Sequence, residues 1–305
     1  MSDVTGAAST SAATRPRVAL LGLGLMGAGM ARRLLGAGFP LVVYNRTARK
    51  ADALAAEGAR KATSPREAAV GAEIVVSMVA DDAASRGVWL GDDGALSGAS
   101  RGAVLIESST VTLDWVAELA AAAAARGCEL LDAPVTGSRA QAEAGELRFL
   151  VGGPAAALER ARPALVAMGH AIVHVGPTGH GAVLKLLNNF LCGVQAAALA
   201  EAVSLIERSG VDERTAFDVL ANGAPGSPLV KTFLARMGAR DYTPSFHLSL
   251  MAKDLAYAER LAERQGAPLP SAAAARAAFE RAAAAGLGDE DASAVIEVLR
   301  TEQRR

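Results

Sequence analysis

The stretch VALLGLGLMGAGMARRLLGAG, Val18 to Gly38, decides the fold, and six of its 21 residues are glycine. Glycine loses more backbone freedom on folding than any other residue, so this many inside an apolar run must serve a structural need. Gly22, Gly24 and Gly27 form G-x-G-x-x-G directly after an apolar strand and directly before a helical pattern. In that setting the first glycine makes a tight turn, the second lets backbone approach a pyrophosphate, and the third lets helix and strand pack closely. The unpaired amides at the helix N-terminus then face the phosphates. The whole turn, Gly22, Leu23, Gly24, Leu25, Met26 and Gly27, is therefore a candidate dinucleotide cradle, with a ligand-free strand-to-helix turn as the alternative. Gly29 is expected to let the helix lie close on the sheet, and Gly36 and Gly38 to end it.

Beyond this stretch, short β-branched runs alternate with helical patterns as far as Gly176: RVALLG, PLVVYN, EIVVSMV, AVLIES, ELLDAPV, LRFLVGG and AIVHVG. That alternation predicts βαβ units and a mostly parallel sheet covered on both faces. After VGPTGHG the β-rich runs stop. AVLKLLNNFLCGVQAAALAEAVSLIERSG, Ala182 to Gly210, reads as one long helix that is apolar on nearly every face over its first two thirds, and further helical patterns follow it. The predicted fold class is α/β, a Rossmann-type doubly wound parallel sheet over residues 17–178, followed by an all-helical substrate and dimerisation domain over 179–305. Residues 1–16, rich in Ser, Thr and Ala, read as a disordered tail. A helix so apolar is hard to cover within one small domain, so a homodimer or homotetramer is expected to bury it.

The 305-residue chain carries a net charge of -1, which offers no basic footprint for nucleic acid. Its two cysteines, Cys128 and Cys192, lie far apart without a C-x-x-C, which suggests neither a disulfide framework nor a zinc site. A reducing, cytoplasmic setting fits them. No uninterrupted apolar run approaches the roughly 20 residues that cross a bilayer, so no membrane partner is expected. The histidines, among them His170, His174 and His180, lack ligand spacing and read as structural, with no metal implied.

The second strand ends in Asn45, Arg46 and Thr47, where an NAD site usually places a carboxylate for the ribose 2′-hydroxyl. A cation and hydroxyls suit a 2′-phosphate instead, so NADP is expected in preference to NAD. A solvated Arg opening a Thr-capped helix is the alternative.

Lys185 sits among Val183, Leu184, Leu186 and Leu187 on an otherwise apolar helix. A buried lysine is costly unless it has partners or a task, and burial lowers its pKa. Such a lysine can give a proton to an alkoxide formed by hydride transfer, and take it back in reverse. Asn189, one turn along the same face, can orient the ammonium or a substrate. A lysine that snorkels to the helix edge is the alternative. DAPVTGS, Asp132 to Ser138, reads as a strand entering a turn that leaves hydroxyls and amides at Thr136, Gly137 and Ser138 for a carboxylate, or else as a plain Ser/Thr turn.

Taken together, GLGLMG, ESST (Glu107 to Thr110), DAPVTGS, KLLNN (Lys185 to Asn189) and AKDL (Ala252 to Leu255) resemble the β-hydroxyacid dehydrogenases. That family includes 3-hydroxyisobutyrate dehydrogenase, tartronate semialdehyde reductase and the glyoxylate/succinic semialdehyde reductases. The resemblance runs from about Arg17 to Leu299 and implies an oxidoreductase that interconverts a small β-hydroxy acid and its semialdehyde, with Lys185 as catalytic lysine and Asn189 as its companion. It implies that the substrate carboxylate is held at Thr136, Gly137 and Ser138, and that Met26, Met78, Val79, Ala80, Thr110 and Lys253 line the cofactor groove. Taken alone, Lys253 and Asp254 would read as a solvated pair. The family commonly has Ser-Gly-Gly where this chain has Thr136, Gly137 and Ser138. Ser138 with Arg139 looks more like the glyoxylate/succinic semialdehyde reductases, whereas FHLSLMAKDL looks more like 3-hydroxyisobutyrate dehydrogenase, which leaves the substrate open. An imine reductase-like enzyme usually has another residue at the lysine position. A non-catalytic NADPH-binding interaction protein of the same fold would be expected to have lost the lysine.

Overall fold

A computed structural model describes residues 15–301. The expected tail over residues 1–16 lies outside the described residues apart from Arg15 and Pro16, and the Arg15 guanidinium stacks over the Phe39 ring. Nine strands form one sheet: β1 (Val18–Leu21), β2 (Leu41–Tyr44), β3 (Arg60–Lys61), β4 (Ile74–Ser77), β5 (Val104–Glu107), β6 (Glu129–Asp132), β7 (Val135–Thr136), β8 (Leu147–Gly152) and β9 (Gly169–Gly176). Their order is β3-β2-β1-β4-β5-β6-β8-β7, with β9 also paired to β8.

The sheet is parallel from β3 through β6, in the doubly wound order that places the strand-order reversal beside β1. Past β6 the direction changes, because β8 runs antiparallel to both β6 and β7, and the sheet as a whole is mostly parallel, as expected. Strand composition carries burial and not direction, so the reversal had no local signature. The central strands are buried on both faces. Val18 and Leu20 of β1 point into a core with Met30, Leu34, Leu158 and Leu165, while Ala19 and Leu21 point into one with Trp89, Trp115 and Leu119. The helices Leu25–Gly36 and Ala155–Met168 cover the first face, and Asp82–Leu90 and Leu113–Ala125 cover the second.

The helical half begins with His180–Ser209, two residues longer at its start than expected, and continues through Glu213–Asn222, Pro228–Ala239, Leu248–Gln265, Pro270–Ala282 and Ile296–Thr301. Its core gathers Val203, Met237, Leu255 and Phe279. A smaller cluster of Leu186, Tyr257, Ala258 and Leu261 packs against Leu113 of the sheet half and joins the two. Read as a whole helix, His180–Ser209 is long and apolar enough to cross a membrane by length and composition, with a mean hydropathy of 1.5 over its most apolar window. Lys185, Asn188, Asn189 and Gln195 interrupt its apolar run, so it holds no unbroken apolar stretch of that length. In the fold it packs against the other helices of this half and against β8, while Leu184, Leu187, Leu191 and Leu205 remain exposed.

Candidate active site

The glycine-rich turn follows β1 for steric reasons. Gly22 has φ +99°, and a Cβ there would stand 2.2 Å from the Met78 carbonyl oxygen at the end of β4. A Cβ on Gly27 would stand 2.0 Å from the Gly22 carbonyl oxygen. A Cβ on Gly24 would meet nothing within 4 Å, so the backbone is open on that side, where a pyrophosphate would approach. The residues present thus fit a dinucleotide: a bare backbone opening at Gly24 leads into a 12-residue helix with no acidic residue in its first turn. Gly29 serves a different purpose from the one expected. Its Cβ would meet the backbone of Ala142 and Glu143, so it admits the short helix Arg139–Ala144 and not the sheet.

Asn45 is turned inward. Its Oδ1 accepts the Leu23 N–H at 2.8 Å and its Nδ2 donates to the Thr47 carbonyl, so its side chain braces the glycine-rich turn. Arg46 and Thr47 are exposed beside that turn. The ends of β4 and β5 are stitched together, because Val79 N–H donates to Ser109 Oγ at 2.8 Å. Below them the buried Glu107 accepts Ser109 N–H at 2.8 Å and the Trp89 indole N–H at 2.8 Å. Its place at the end of a fully apolar strand was the only sequence signal of this role. Met78 and Val79 are half-buried and Ala80 is exposed at the mouth of the groove.

The helix Leu248–Gln265 reaches across to these strand ends. Lys253 Nζ donates to the Thr110 carbonyl at 2.7 Å and lies 4.8 Å from the Tyr257 ring centroid. The Tyr257 hydroxyl accepts the Asp82 N–H at 3.2 Å, and burial pushes its phenol up to about 12. Arg264 pairs with Asp114 further along the same helix. Lys253 also forms an ion pair with Asp254 at 3.0 Å, and Asp254 is only 1% exposed. The Lys-Asp pair is therefore an interior clamp and not a solvated surface pair.

Asn189, one turn past Lys185, is buried and committed elsewhere. Its Nδ2 donates to Asp254 Oδ2 at 2.5 Å and its Oδ1 accepts from Asn188 Nδ2 at 2.9 Å. It therefore holds Asp254 and makes no bond to Lys185. Lys185 itself has no hydrogen-bond or ion-pair partner among the described residues. Burial pushes its ammonium below the ordinary lysine value, Asp254 and the Cys192 thiol draw it back up, and Lys253 adds to the lowering. An uncommitted amine with a lowered pKa is the form that a proton donor and acceptor requires.

The expected carboxylate turn is partly closed. Gly137 has φ +120° and is exposed, and Thr136 is half-buried. Ser138 caps the helix Arg139–Ala144, and its N–H donates to Gln141 Oε1 at 2.9 Å. The Ser138 amide is therefore not free, because the glutamine three residues on completes a capping box. The ring nitrogens of the histidines hydrogen-bond to backbone carbonyl oxygens: His170 at Glu146, His174 at Gly153, His180 at Pro177 and His247 at Asp289.

Asp132, the first residue of DAPVTGS, has a role that its motif did not suggest. Its Oδ1 accepts Gly179 N–H at 2.7 Å and its Oδ2 accepts Ala182 N–H at 2.8 Å, at the start of the helix that carries Lys185. Burial pushes its carboxyl above the ordinary value, against these bonds.

Comparison with known proteins bears on the family. Residues 17–176 match the family model described as the NAD binding domain of 6-phosphogluconate dehydrogenase. Residues 179–299 match the one described as NAD-binding of NADP-dependent 3-hydroxyisobutyrate dehydrogenase. The chain is 37% identical over 286 residues to an NAD-dependent L-serine dehydrogenase of Pseudomonas aeruginosa, covering 92% of this chain and 96% of that one. It is 35% identical over 283 residues to glyoxylate/succinic semialdehyde reductase 1 of Arabidopsis thaliana, covering 93% and 98%. A Mycobacterium tuberculosis 3-hydroxyisobutyrate dehydrogenase, solved with L-serine, superposes with a TM-score of 0.85 at 34% identity, covering 94% of this chain and 99% of the other. A glycine-rich cradle, a helical half that reaches back to it and likeness along nearly the whole length lead to one assignment: the chain belongs to the β-hydroxyacid dehydrogenases, NAD(P)-dependent oxidoreductases.

Proposed function

We propose that this enzyme interconverts a small β-hydroxy acid and its semialdehyde, with Lys185 as the general acid and base. The observation that carries this is the Lys185 amine, without a hydrogen-bond or ion-pair partner among the described residues and with its pKa lowered by burial, near an Asp254 carboxylate already engaged by Asn189 and Lys253. The glycine-rich turn Gly22 to Gly27 would hold the pyrophosphate of the dinucleotide and the ends of β4 and β5 would flank it, and the bound cofactor would supply or accept the hydride. Thr136 and Gly137 receive the substrate carboxylate at the turn, and Ser138 fixes the turn's shape through Gln141. In reduction Lys185 donates its proton to the oxygen that becomes the alcohol; in oxidation its neutral amine takes that proton away. Lys253, tied to the Thr110 carbonyl, keeps the helical half seated against the cofactor groove.

Arg46 and Thr47, exposed at the end of β2, favour a 2′-phosphate and hence NADP over NAD. Leu184, Leu187, Leu191 and Leu205 give the long helix an apolar face for a second copy of the chain. The free thiols Cys128 and Cys192 suit a reducing compartment, the cytoplasm. The test is a panel of short β-hydroxy acids and semialdehydes, L-serine included, followed at the nicotinamide absorbance band with NAD and NADP. Turnover of one or more members, lost in Lys185→Met, is expected. Tight cofactor binding with a flat panel would favour a non-catalytic cofactor-binding protein.

A further inference from the structure

We infer that Asp132 is a positioning residue for catalysis, a carboxylate that fixes the helix bearing the proton donor against the segment bearing the substrate turn. The inference rests on Lys185 being the acid and base. Asp132 ends β6, and four residues later the same segment reaches Thr136, where the substrate carboxylate is placed. Its two oxygens take separate backbone N–H groups, from Gly179 at 2.7 Å and Ala182 at 2.8 Å, and Ala182 lies one turn before Lys185. These bonds span 47 and 50 residues of sequence, from the sheet half to the helical half.

The socket around this carboxylate is closed by absent side chains. A Cβ on Gly152 would come within 2.5 Å of Asp132 Oδ1, and one on Gly181 within 2.9 Å of Oδ2. Gly152 is also the β8 residue paired with Asp132 in the sheet. With Asp132 1% exposed, neither oxygen has room to move and no solvent substitutes for the two N–H groups. Gly179 carries φ +96°, so the chain turns sharply at the point the carboxylate holds. One side chain thus sets both the start and the direction of a 30-residue helix whose sixth residue is Lys185. Reacting groups displaced by about 1 Å lose on the order of a hundredfold in rate, so an anchor this near to the amine bears on turnover as well as on folding.

The test compares Asp132→Asn with the parent enzyme, using the best substrate of the panel. The amide offers its oxygen to one N–H and sets its own NH2 against the other, so the shape is kept and one bond becomes a donor facing a donor. Expected is a ten- to hundredfold loss in kcat per cofactor-binding molecule, a cofactor Kd within twofold, and a larger solvent deuterium isotope effect on kcat as proton transfer becomes limiting. Gly152→Ala, which presses on the same carboxylate from β8, is expected to show the same split. Unchanged kcat in Asp132→Asn overturns the inference. So does a loss in both variants that follows only the amount of folded protein, which would leave Asp132 a purely structural cap. If Lys185→Met keeps full turnover, the acid and base assignment fails first, and that result is distinct from either outcome at Asp132.

Discussion

Replacing Gly24 by alanine separates cofactor binding from folding. Gly24 has φ -74°, open to any residue, and a Cβ there meets nothing within 4 Å. The fold therefore loses only the difference between glycine and alanine at a helix N-cap, on the order of 1 kcal/mol. In a chain of this size that lowers Tm by about 2 to 4 °C. The added methyl group instead occupies the space through which a pyrophosphate would reach the backbone amides, so the cofactor Kd is expected to rise by at least about tenfold, roughly 1.4 kcal/mol. Gly22→Ala is the control. Its Cβ would overlap the Met78 carbonyl oxygen at 2.2 Å and its φ of +99° is strained for alanine, so folding and binding fail together. Fluorescence titration with NADPH and NADH and a thermal melt on each variant measure the two quantities. Gly24→Ala with unchanged affinity for both cofactors would refute the placement of the pyrophosphate over this turn.

The remaining predictions concern charge and apolar surface. Lys185→Met is expected to lower kcat by at least about a hundredfold with cofactor affinity retained, checked by steady-state kinetics and titration. Because burial lowers the Lys185 pKa from 10.5, the unfolded chain binds more protons between the two values. Lys185 therefore costs stability below that window, and the cost is relieved as pH rises through it. Lys185→Met should accordingly melt higher than the parent at neutral pH, with the gain shrinking in alkali; a lower melting temperature at every pH contradicts the assigned burial. Arg46→Glu should move the NADP-to-NAD ratio of kcat/KM toward NAD by about tenfold or more, and an unmoved ratio removes Arg46 from the phosphate site. Leu187→Glu with Leu191→Glu should give a monomer in light scattering if that face meets a second copy, whereas an unchanged mass assigns the contact elsewhere.

What the sequence made legible was what short-range chemistry dictates. The glycine spacing is a local pattern that marks the turn between β1 and the first helix, and Lys185 stands out because its helical neighbours are apolar. The site's remaining parts depend on partners far along the chain. Asn45 meets Leu23 across 22 residues and Asn189 meets Asp254 across 65, separations at which helical and strand periodicities carry no information. The same blindness made Asp254 look like a surface residue, since its burial is produced by the helix His180–Ser209 and not by its own neighbours. Ser138 shows the opposite failure. Its partner Gln141 is only three residues away, and Ser-x-x-Gln is the local pattern of a capping box, which the same residues share with a carboxylate-binding turn.

The long helix also has a mechanical consequence. At 1.5 Å per residue its 30 residues extend about 45 Å from the Asp132 anchor, so each degree of tilt about that end swings Ser209 by about 0.8 Å. Lys185 lies only about 7 Å from the pivot, where the same degree moves it by about 0.1 Å. The distal end can thus follow rearrangements among the outer helices while the amine stays nearly still, as a lever moves least beside its fulcrum.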